Sequence, residues 1–305
     1  MILKIKDLPN EEYWLEGNPS CHGCPAAIGL RVALKVLGPK AVMVVPAGCV
    51  TIIQGAYPKT SARVPLLNTA FAAAPSAASG VSAAFELKGV DDKVVLVWAG
   101  DGATADIGMA SLSGAAERNA NVLYVCYDNE AYMNTGVQRS SSTPLGAWTT
   151  TTVTGKGEPK KDLPSIMIAH RIPYVATASV AYPLDFAEKL QKAAGMRGFK
   201  YIHLHSPCPP GWKFSSEKTI EVGRLAVQTG SWILYEVENG VFRLSPPSLP
   251  FVNKERRKPI DLYLKVQGRF SRMADEDKSK FATTVDEGWQ TISNYQKLGR
   301  LFPAR

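Results

Sequence analysis

Short, continuous apolar runs recur along this chain, and each closes on glycine or a small polar residue. Ala41–Val45, Lys93–Trp98, Asn121–Tyr127, Tyr174–Ala178 and Lys200–His205 are five such runs. None shows the strict alternation of a half-exposed strand, so each predicts a strand covered on both faces, as in a parallel sheet. Between them, helices are predicted over Ala26–Leu37, Ala103–Asn119, Pro183–Ala194 and Ser216–Thr229. Ser76–Leu87 is rich in Ala and Ser and predicts a closely packed helix. Strand followed by helix, repeated, predicts an α/β fold with a doubly wound, mostly parallel sheet.

Two stretches break the rhythm. Residues 131–161 are polar, rich in Thr, Ser and Gly, and too long for an ordinary connection, which marks a functional or disordered loop. From about Ser245 the chain turns Pro-rich and basic and ends in a mixed helical tail. Residues 1–244 are therefore expected to form one α/β domain. Residues 245–305 are expected to be an extension that packs on it or on a partner subunit.

Composition changes this picture little. Of 305 residues, 45% are apolar and 20% charged, the balance of an ordinary globular protein. The net charge of +8 has much of its excess in Lys254–Lys258 and in the stretch from Lys297 to Arg305. Such runs form solvated or partner-facing surface, and no nucleic-acid motif accompanies them. No apolar run is long enough to span a bilayer. Residues 1–7 lack the apolar core and cleavage site of a signal peptide. The expectation is a cytoplasmic protein that binds neither membrane nor nucleic acid.

Chemistry enters with Gly100-Asp101-Gly102, at a strand end that opens a helix. A strand–glycine turn–helix aims backbone N–H groups and the positive helix end at an anion. An aspartate there repels phosphate unless a cation lies between, so the turn points to Mg2+ bridging a diphosphate to Asp101. Another 26 residues, one helix and one strand, lead from Gly102 to Asn129. This returns the chain to the same sheet edge, where Asn129 offers a neutral oxygen beside the charged one, a set that suits octahedral Mg2+.

Gly-Asp-Gly followed at this distance by Asn is similar to the signature of thiamine diphosphate enzymes. The longer words at 100–108, 127–136 and 138–144 resemble the β subunit of pyruvate:ferredoxin oxidoreductase and its relatives, and the likeness runs from about Glu12 to Glu238 and, more thinly, over Tyr263–Phe270. The resemblance implies the thiamine diphosphate-binding fold. It implies Mg2+ held by Asp101, Asn129 and the carbonyl of Ala131, with Asn134 near the thiazolium and the substrate in a catalytic place. Cys49, Gly100, Gly102 and Thr135 complete the cofactor-binding set that it implies.

The five cysteines are an odd number without a secretion signal, which argues against a disulfide framework. Cys21-His-Gly-Cys24 opens a helix, Cys49 ends a strand, and Cys208 lies in a rigid Pro-rich loop after another strand. Four thiolates on strand-end loops suit a [4Fe–4S] cluster or Zn2+, and spacing alone leaves both open. The resemblance implies the [4Fe–4S] cluster, on Cys21, Cys24, Cys49 and Cys208. Cys126 sits within an apolar strand and reads as a small core residue. His22, His170, His203 and His205 have no ligand spacing and read as structural. The chain departs from the family's pattern at Asn18 and Pro25; neither departure removes a ligand, but both weaken the transfer of pyruvate as substrate.

The activity implied is oxidative decarboxylation of a 2-oxoacid, with pyruvate first and oxalate or another 2-oxoacid behind it, by one-electron transfers to the cluster and on to ferredoxin. In pyruvate-type enzymes the product passes to coenzyme A. No second sheet is present to hold the pyrimidine ring, and no eight-cysteine ferredoxin pattern is present. A partner α subunit should therefore supply the pyrimidine-binding domain, and γ or ferredoxin-like subunits further clusters. The docking surface is expected around Leu66–Ala77 and the 131–150 loop, as an exposed apolar face. Two alternatives are a non-redox thiamine diphosphate decarboxylase or synthase subunit, which needs no cysteine set, and a zinc-stabilised binding module, which needs no Gly100–Asn129 pair.

Overall fold

The computed structural model describes residues 4–304. Eight strands form a single sheet: β1 Ala41–Pro46, β2 Leu66–Thr69, β3 Val94–Gly100, β4 Val122–Asp128, β5 Tyr174–Ser179, β6 Lys200–His205, β7 Tyr235–Glu238 and β8 Val241–Leu244. Their order is β2-β1-β3-β4-β6-β5-β7-β8. The first six run parallel, and β7 and β8 add an antiparallel edge. The α-helices are α1 Pro25–Leu37, α2 Cys49–Ile53, α3 Ala74–Leu87, α4 Met109–Glu117, α5 Leu163–Ala169, α6 Pro183–Ala194, α7 Pro209–Trp212, α8 Thr219–Gln228, α9 Ile260–Lys265 and α10 Asp275–Leu298.

Every residue of the central strand β4 is buried, as its unbroken apolar run predicts. One face of the sheet packs Leu96, Trp98 and Val125 against Leu30, Leu34, Phe186 and Leu190 of α1 and α6. The other face packs Val97, Tyr124 and Tyr201 against Ala78, Leu112, Ala115, Ala116 and Met167 of α3, α4 and α5. Small residues on α3 and α4 let those helices approach closely, as the Ala- and Ser-rich sequence predicts.

The sheet is larger than the five predicted strands. The β7–β8 hairpin turns on Asn239 and Gly240, both in the left-handed region, with φ of 47° and 81°. Asn-Gly between alternating runs is the signal of such a turn. Strand β2 has four residues, too few to show a pattern. The helix expected over 103–119 is broken: a π-helical turn spans Gly102–Asp106, and α4 begins only at Met109. The Thr104 hydroxyl donates to the Gly100 carbonyl at 2.7 Å and holds the turn against the strand end.

The 131–161 segment is ordered, and its middle is inside. The Lys156 ammonium donates to the carbonyls of Ser141, Thr143 and Pro159 at 3.2, 2.6 and 3.2 Å, and Ser142, Thr143, Pro144 and Ala147 are buried beneath it. It therefore departs from the exposed apolar face expected at 131–150, because a polar segment clamped by an ammonium turns its apolar residues inward. In the 66–77 stretch Leu67 is exposed, and Leu66, Phe71 and Ala77 are half-buried. Beyond residue 245, Tyr263, Leu264, Phe270 and Met273 join a third apolar cluster with Trp212, Val222 and Trp232. The α10 helix lays Ile292 on the second face of the sheet, and its Trp289 indole donates to the Gly230 carbonyl at 3.0 Å. Among the described residues, no helix is long and apolar enough to cross a membrane.

Lys200, at the amino end of β6, is buried with Asn121 as its partner at 2.7 Å. Burial, with Arg197 adding to it, pushes its ammonium down to about 7. The folded chain then prefers neutral Lys200, whereas the unfolded chain keeps the proton to about pH 10. Between these values the unfolded state binds more protons, so stability rises with pH, by roughly 1 kcal/mol per unit. Wild type is expected to gain on Lys200→Met between pH 7 and pH 9 in denaturant titrations. Parallel pH profiles for the two proteins would contradict this.

Candidate cofactor and metal site

In a parallel sheet, ligands bind beyond the carboxyl ends of the strands, where the strand order reverses. Here the order reverses between β1 and β3: β2 lies to one side of β1, and β3, β4 and β6 follow on the other. A cavity of about 320 Å3 opens at that point. Its wall includes Gly48 and Cys49 after β1, Gly100–Ala103 after β3, and Asn129 and Ala131–Thr135 after β4. A larger cavity, about 680 Å3, lies at the opposite end of the sheet and is lined by none of the predicted site residues.

The glycines of the first turn are there for space. A Cβ on Gly100 would stand 3.3 Å from the Tyr127 ring, and one on Gly102 would stand 2.5 Å from the Tyr132 ring. Asp101 between them is completely buried. Its Oδ2 accepts from the Ser140 hydroxyl at 2.6 Å. Burial, and secondly the charge of Asp128, push the Asp101 carboxyl well above the usual carboxylate range. A cation beside it would reverse that shift.

Asn129 is also buried. One atom of its side-chain amide stands 2.9 Å from both the Ala131 carbonyl and Asp101 Oδ1. With nitrogen in that place, the amide donates to both. With oxygen there, the amide meets those two oxygens through a cation or through a proton on the Asp101 carboxyl. An octahedron with bonds of roughly 2.0–2.1 Å to Mg2+ has edges of about 2.9 Å. The two separations from the Asn129 side chain, to Asp101 Oδ1 and to the Ala131 carbonyl, each match an edge of such an octahedron.

The acids beside this trio each have a counter-charge. The Lys160 ammonium lies 2.6 Å from Asp128 and 2.7 Å from Glu130, and Arg269 reaches Glu130 at 2.6 Å. His203 completes the group, with its Nε2 2.7 Å from Asp128 and its Nδ1 2.6 Å from the Tyr201 hydroxyl. Burial works against charge on Asp128 and Glu130, yet these cations hold both carboxyls below the usual range. His205 is neutral, its pKa pushed down to about 3 chiefly by burial, and it stacks on Trp232, as does His203. Both histidines, read from the sequence as structural, are buried against Trp232. Lys160, Arg269 and Ser140 carry no motif that names their roles, because their partners lie 30 or more residues away.

Cys24, Cys49 and Cys208 all stand at helix starts: Cys24 caps α1, Cys49 opens α2, and Cys208 caps α7. Cys49 therefore begins a helix directly after the expected strand. Cys21 is exposed, and its carbonyl accepts from the Cys24 N–H at 3.1 Å. Burial pushes the Cys49 and Cys208 thiols up to about 12, and in both cases the neighbouring cysteines of the set add to the rise. The four thus share one electrostatic neighbourhood beside the cavity. Among the described residues, no three His, Cys, Asp or Glu side chains close on one point as a set for a single metal ion. Cys126 is in the core of the second face, away from this group. Asn134 and Thr135 are exposed at the cavity mouth, and the Thr135 hydroxyl bonds Gln138 at 2.6 Å.

Residues 46–204 match the family profile of the thiamine pyrophosphate enzyme, C-terminal TPP binding domain. The chain is 51% identical to the pyruvate synthase subunit PorB of Methanothermobacter thermautotrophicus, over 93% of this chain and 99% of that one. It is 48% identical to the ketoisovalerate oxidoreductase subunit VorB of Pyrococcus abyssi, over 97% of this chain and 96% of that one. Among solved structures, a 2-oxoglutarate:ferredoxin oxidoreductase from Magnetococcus marinus aligns with a TM-score of 0.57 at 24% identity, over 73% of this chain and 80% of that one. The last likeness bears on the fold.

The buried ion group generates a stability prediction. Lys160→Met leaves Asp128 and Glu130 short of a counter-charge and is expected to lower unfolding free energy by about 3 kcal/mol. An unchanged denaturation midpoint would show that Lys160 is dispensable to the two acids.

Proposed function

The chain belongs to the thiamine pyrophosphate enzyme family, among the pyruvate synthase and ketoisovalerate oxidoreductase subunits, and from that premise we propose that it is the cofactor-binding β subunit of a 2-oxoacid:ferredoxin oxidoreductase. The observation that carries the site is the Asn129 side-chain atom standing 2.9 Å from both Asp101 Oδ1 and the Ala131 carbonyl, the edge length of a Mg2+ octahedron. In this reading Asp101 Oδ1, the Asn129 side-chain oxygen and the Ala131 carbonyl hold Mg2+. Gly102 and Ala103, at the start of the π-helical turn, leave room for the diphosphate. Asn134 and Thr135 border the substrate, and Cys21, Cys24, Cys49 and Cys208 hold a [4Fe–4S] cluster.

When bound, thiamine diphosphate supplies the carbanion chemistry that releases CO2 from a 2-oxoacid, and the cluster takes up electrons singly. This chain's part is placement. Ser140 fixes one Asp101 oxygen and leaves the other to the metal. Phe71, Tyr132 and Met133 make the cavity wall apolar and exclude water from the reacting carbon. N–H groups at the starts of α1 and α7 point at the Cys24 and Cys208 sulfurs and favour their thiolates.

The substrate we propose is an aliphatic 2-oxoacid, pyruvate first. None of the cavity-lining residues is Lys or Arg, so this chain offers no counter-charge to the second carboxylate of oxalate or 2-oxoglutarate. Coenzyme A as acceptor, ferredoxin as oxidant, an α subunit bearing the pyrimidine-binding domain and γ or ferredoxin-like subunits belong to the same proposal. Residues 245–305 are proposed as an extension of the α/β domain.

Asp101→Ala is expected to weaken Mg2+-dependent thiamine diphosphate binding at least a hundredfold by calorimetry, about 2.8 kcal/mol, with the circular dichroism spectrum unchanged. An unaltered affinity would falsify its role as ligand. Cys24→Ser or Cys208→Ser is expected to lower bound iron, whereas Cys126→Ser is not; iron loss that follows Cys126 instead would refute the ligand set. The chain purified without partners, but with cofactor, Mg2+ and cluster, is expected to turn over no 2-oxoacid. Steady turnover by such a preparation would mean that the whole active site lies in this chain.

A further inference from the structure

The loop that carries Cys208 and the loop that carries Asn129 and Ala131 are joined at three points. At the first, the Ser206 N–H donates to the Asp128 carbonyl at 2.9 Å. At the second, Gly211 is pressed against Met133, where a Cβ would come within 2.2 Å of the sulfur. The third point is Trp212, which is fully buried. Its backbone N–H donates to the Cys208 carbonyl at 2.8 Å, and its indole N–H donates to the Asn129 carbonyl at 2.7 Å. A single side chain thus bonds the backbone of a cluster cysteine's loop to the backbone of a metal-binding residue.

Trp212 is itself held from behind. The Arg269 guanidinium lies 3.6 Å from its ring centre, a cation–π contact in a buried place. The same guanidinium donates to Glu130 at 2.6 Å, one residue from Asn129 on one side and Ala131 on the other. The Arg269 carbonyl accepts from the Trp148 N–H at 2.9 Å, and the neighbouring Gly268 N–H donates to the Lys213 carbonyl at 3.0 Å. Arg269 therefore ties the C-terminal segment, the 131–161 loop and the Cys208 loop to one another.

We infer that Trp212, braced by Arg269, is a positioning residue that couples the two centres, so that filling the diphosphate–metal site changes the surroundings of Cys208. The inference rests on the proposed function and deepens it. When a metal draws in the Asn129 side chain, the indole follows the Asn129 carbonyl. The α7 turn, and with it the Cys208 backbone, is bonded to that indole. Hydrogen bonding around cluster sulfurs sets the cluster's properties, so the cofactor's arrival should be legible in the cluster.

The test uses the whole complex, reduced, with and without Mg2+ and thiamine diphosphate. The electron paramagnetic resonance difference spectrum isolates whatever changes on cofactor binding. Wild type is expected to show a cofactor-dependent shift of the cluster signal. Trp212→Phe keeps the ring and loses the N–H; at saturating cofactor it is expected to lose the shift, and its Mg2+ affinity to fall about tenfold. Arg269→Lys keeps the charge and loses the flat face on the ring, and it is expected to reduce the shift; it serves as the test should Trp212→Phe fail to assemble. A purely structural role would lower stability and leave the difference spectrum as in wild type. A variant that folds and responds like wild type overturns the inference alone, as does a wild-type cluster that does not respond. A wild-type complex that takes up no cofactor or no iron overturns the proposed function with it.

Discussion

Asp101 is enclosed by protein on every side, and its close hydrogen-bond partner is a neutral hydroxyl, that of Ser140. Charge in such a place is unfavourable unless a cation compensates it. The neighbouring acids are compensated within the chain, Asp128 by Lys160, with His203 bonded to it, and Glu130 by Lys160 and Arg269. Asp101 is the member of this group left for something from outside. One atom of the Asn129 amide faces it at 2.9 Å and faces the Ala131 carbonyl at the same distance.

The cysteines proposed as the second centre lie on the same sheet edge. Three helix starts deliver Cys24, Cys49 and Cys208 to one neighbourhood, and at each a backbone N–H faces the sulfur and opposes the rise that burial imposes on the thiol. Cys49 follows β1 directly, so it lines the cofactor cavity and also lies among the cysteines. The proposed cofactor site and the proposed cluster site thus share Cys49.

Much of this was legible in the chain. Buried parallel strands announce themselves as unbroken apolar runs, and the five expected ones stand within a residue or two of their places. Gly100-Asp101-Gly102 and Asn129 meet because one helix and one strand bring the chain back to the same edge. The β7–β8 hairpin carried its signal in Asn239-Gly240, but a four-residue edge such as β2 has none. The π-helical turn depends on a tertiary contact, since Thr104 also meets Tyr124 at 3.0 Å. The ion group was out of reach for a related reason: Arg269 and Glu130 are 139 residues apart, and no local pattern marks such a pair. The apolar face expected at 131–150 is not exposed as a whole, because Lys156 holds the Ser142–Ala147 stretch inward, a contact no local pattern marks.

The claim on which the rest depends is that Asp101, Asn129 and Ala131 bind a divalent ion together with a diphosphate. Titration of the protein with Mn2+ in place of Mg2+, followed by electron–nuclear double resonance, addresses it directly. The account predicts tight binding of a single ion per chain only when thiamine diphosphate is present, with coupling to phosphorus. Equal Mn2+ affinity with and without the diphosphate, or a bound ion with no phosphorus coupling, would contradict it.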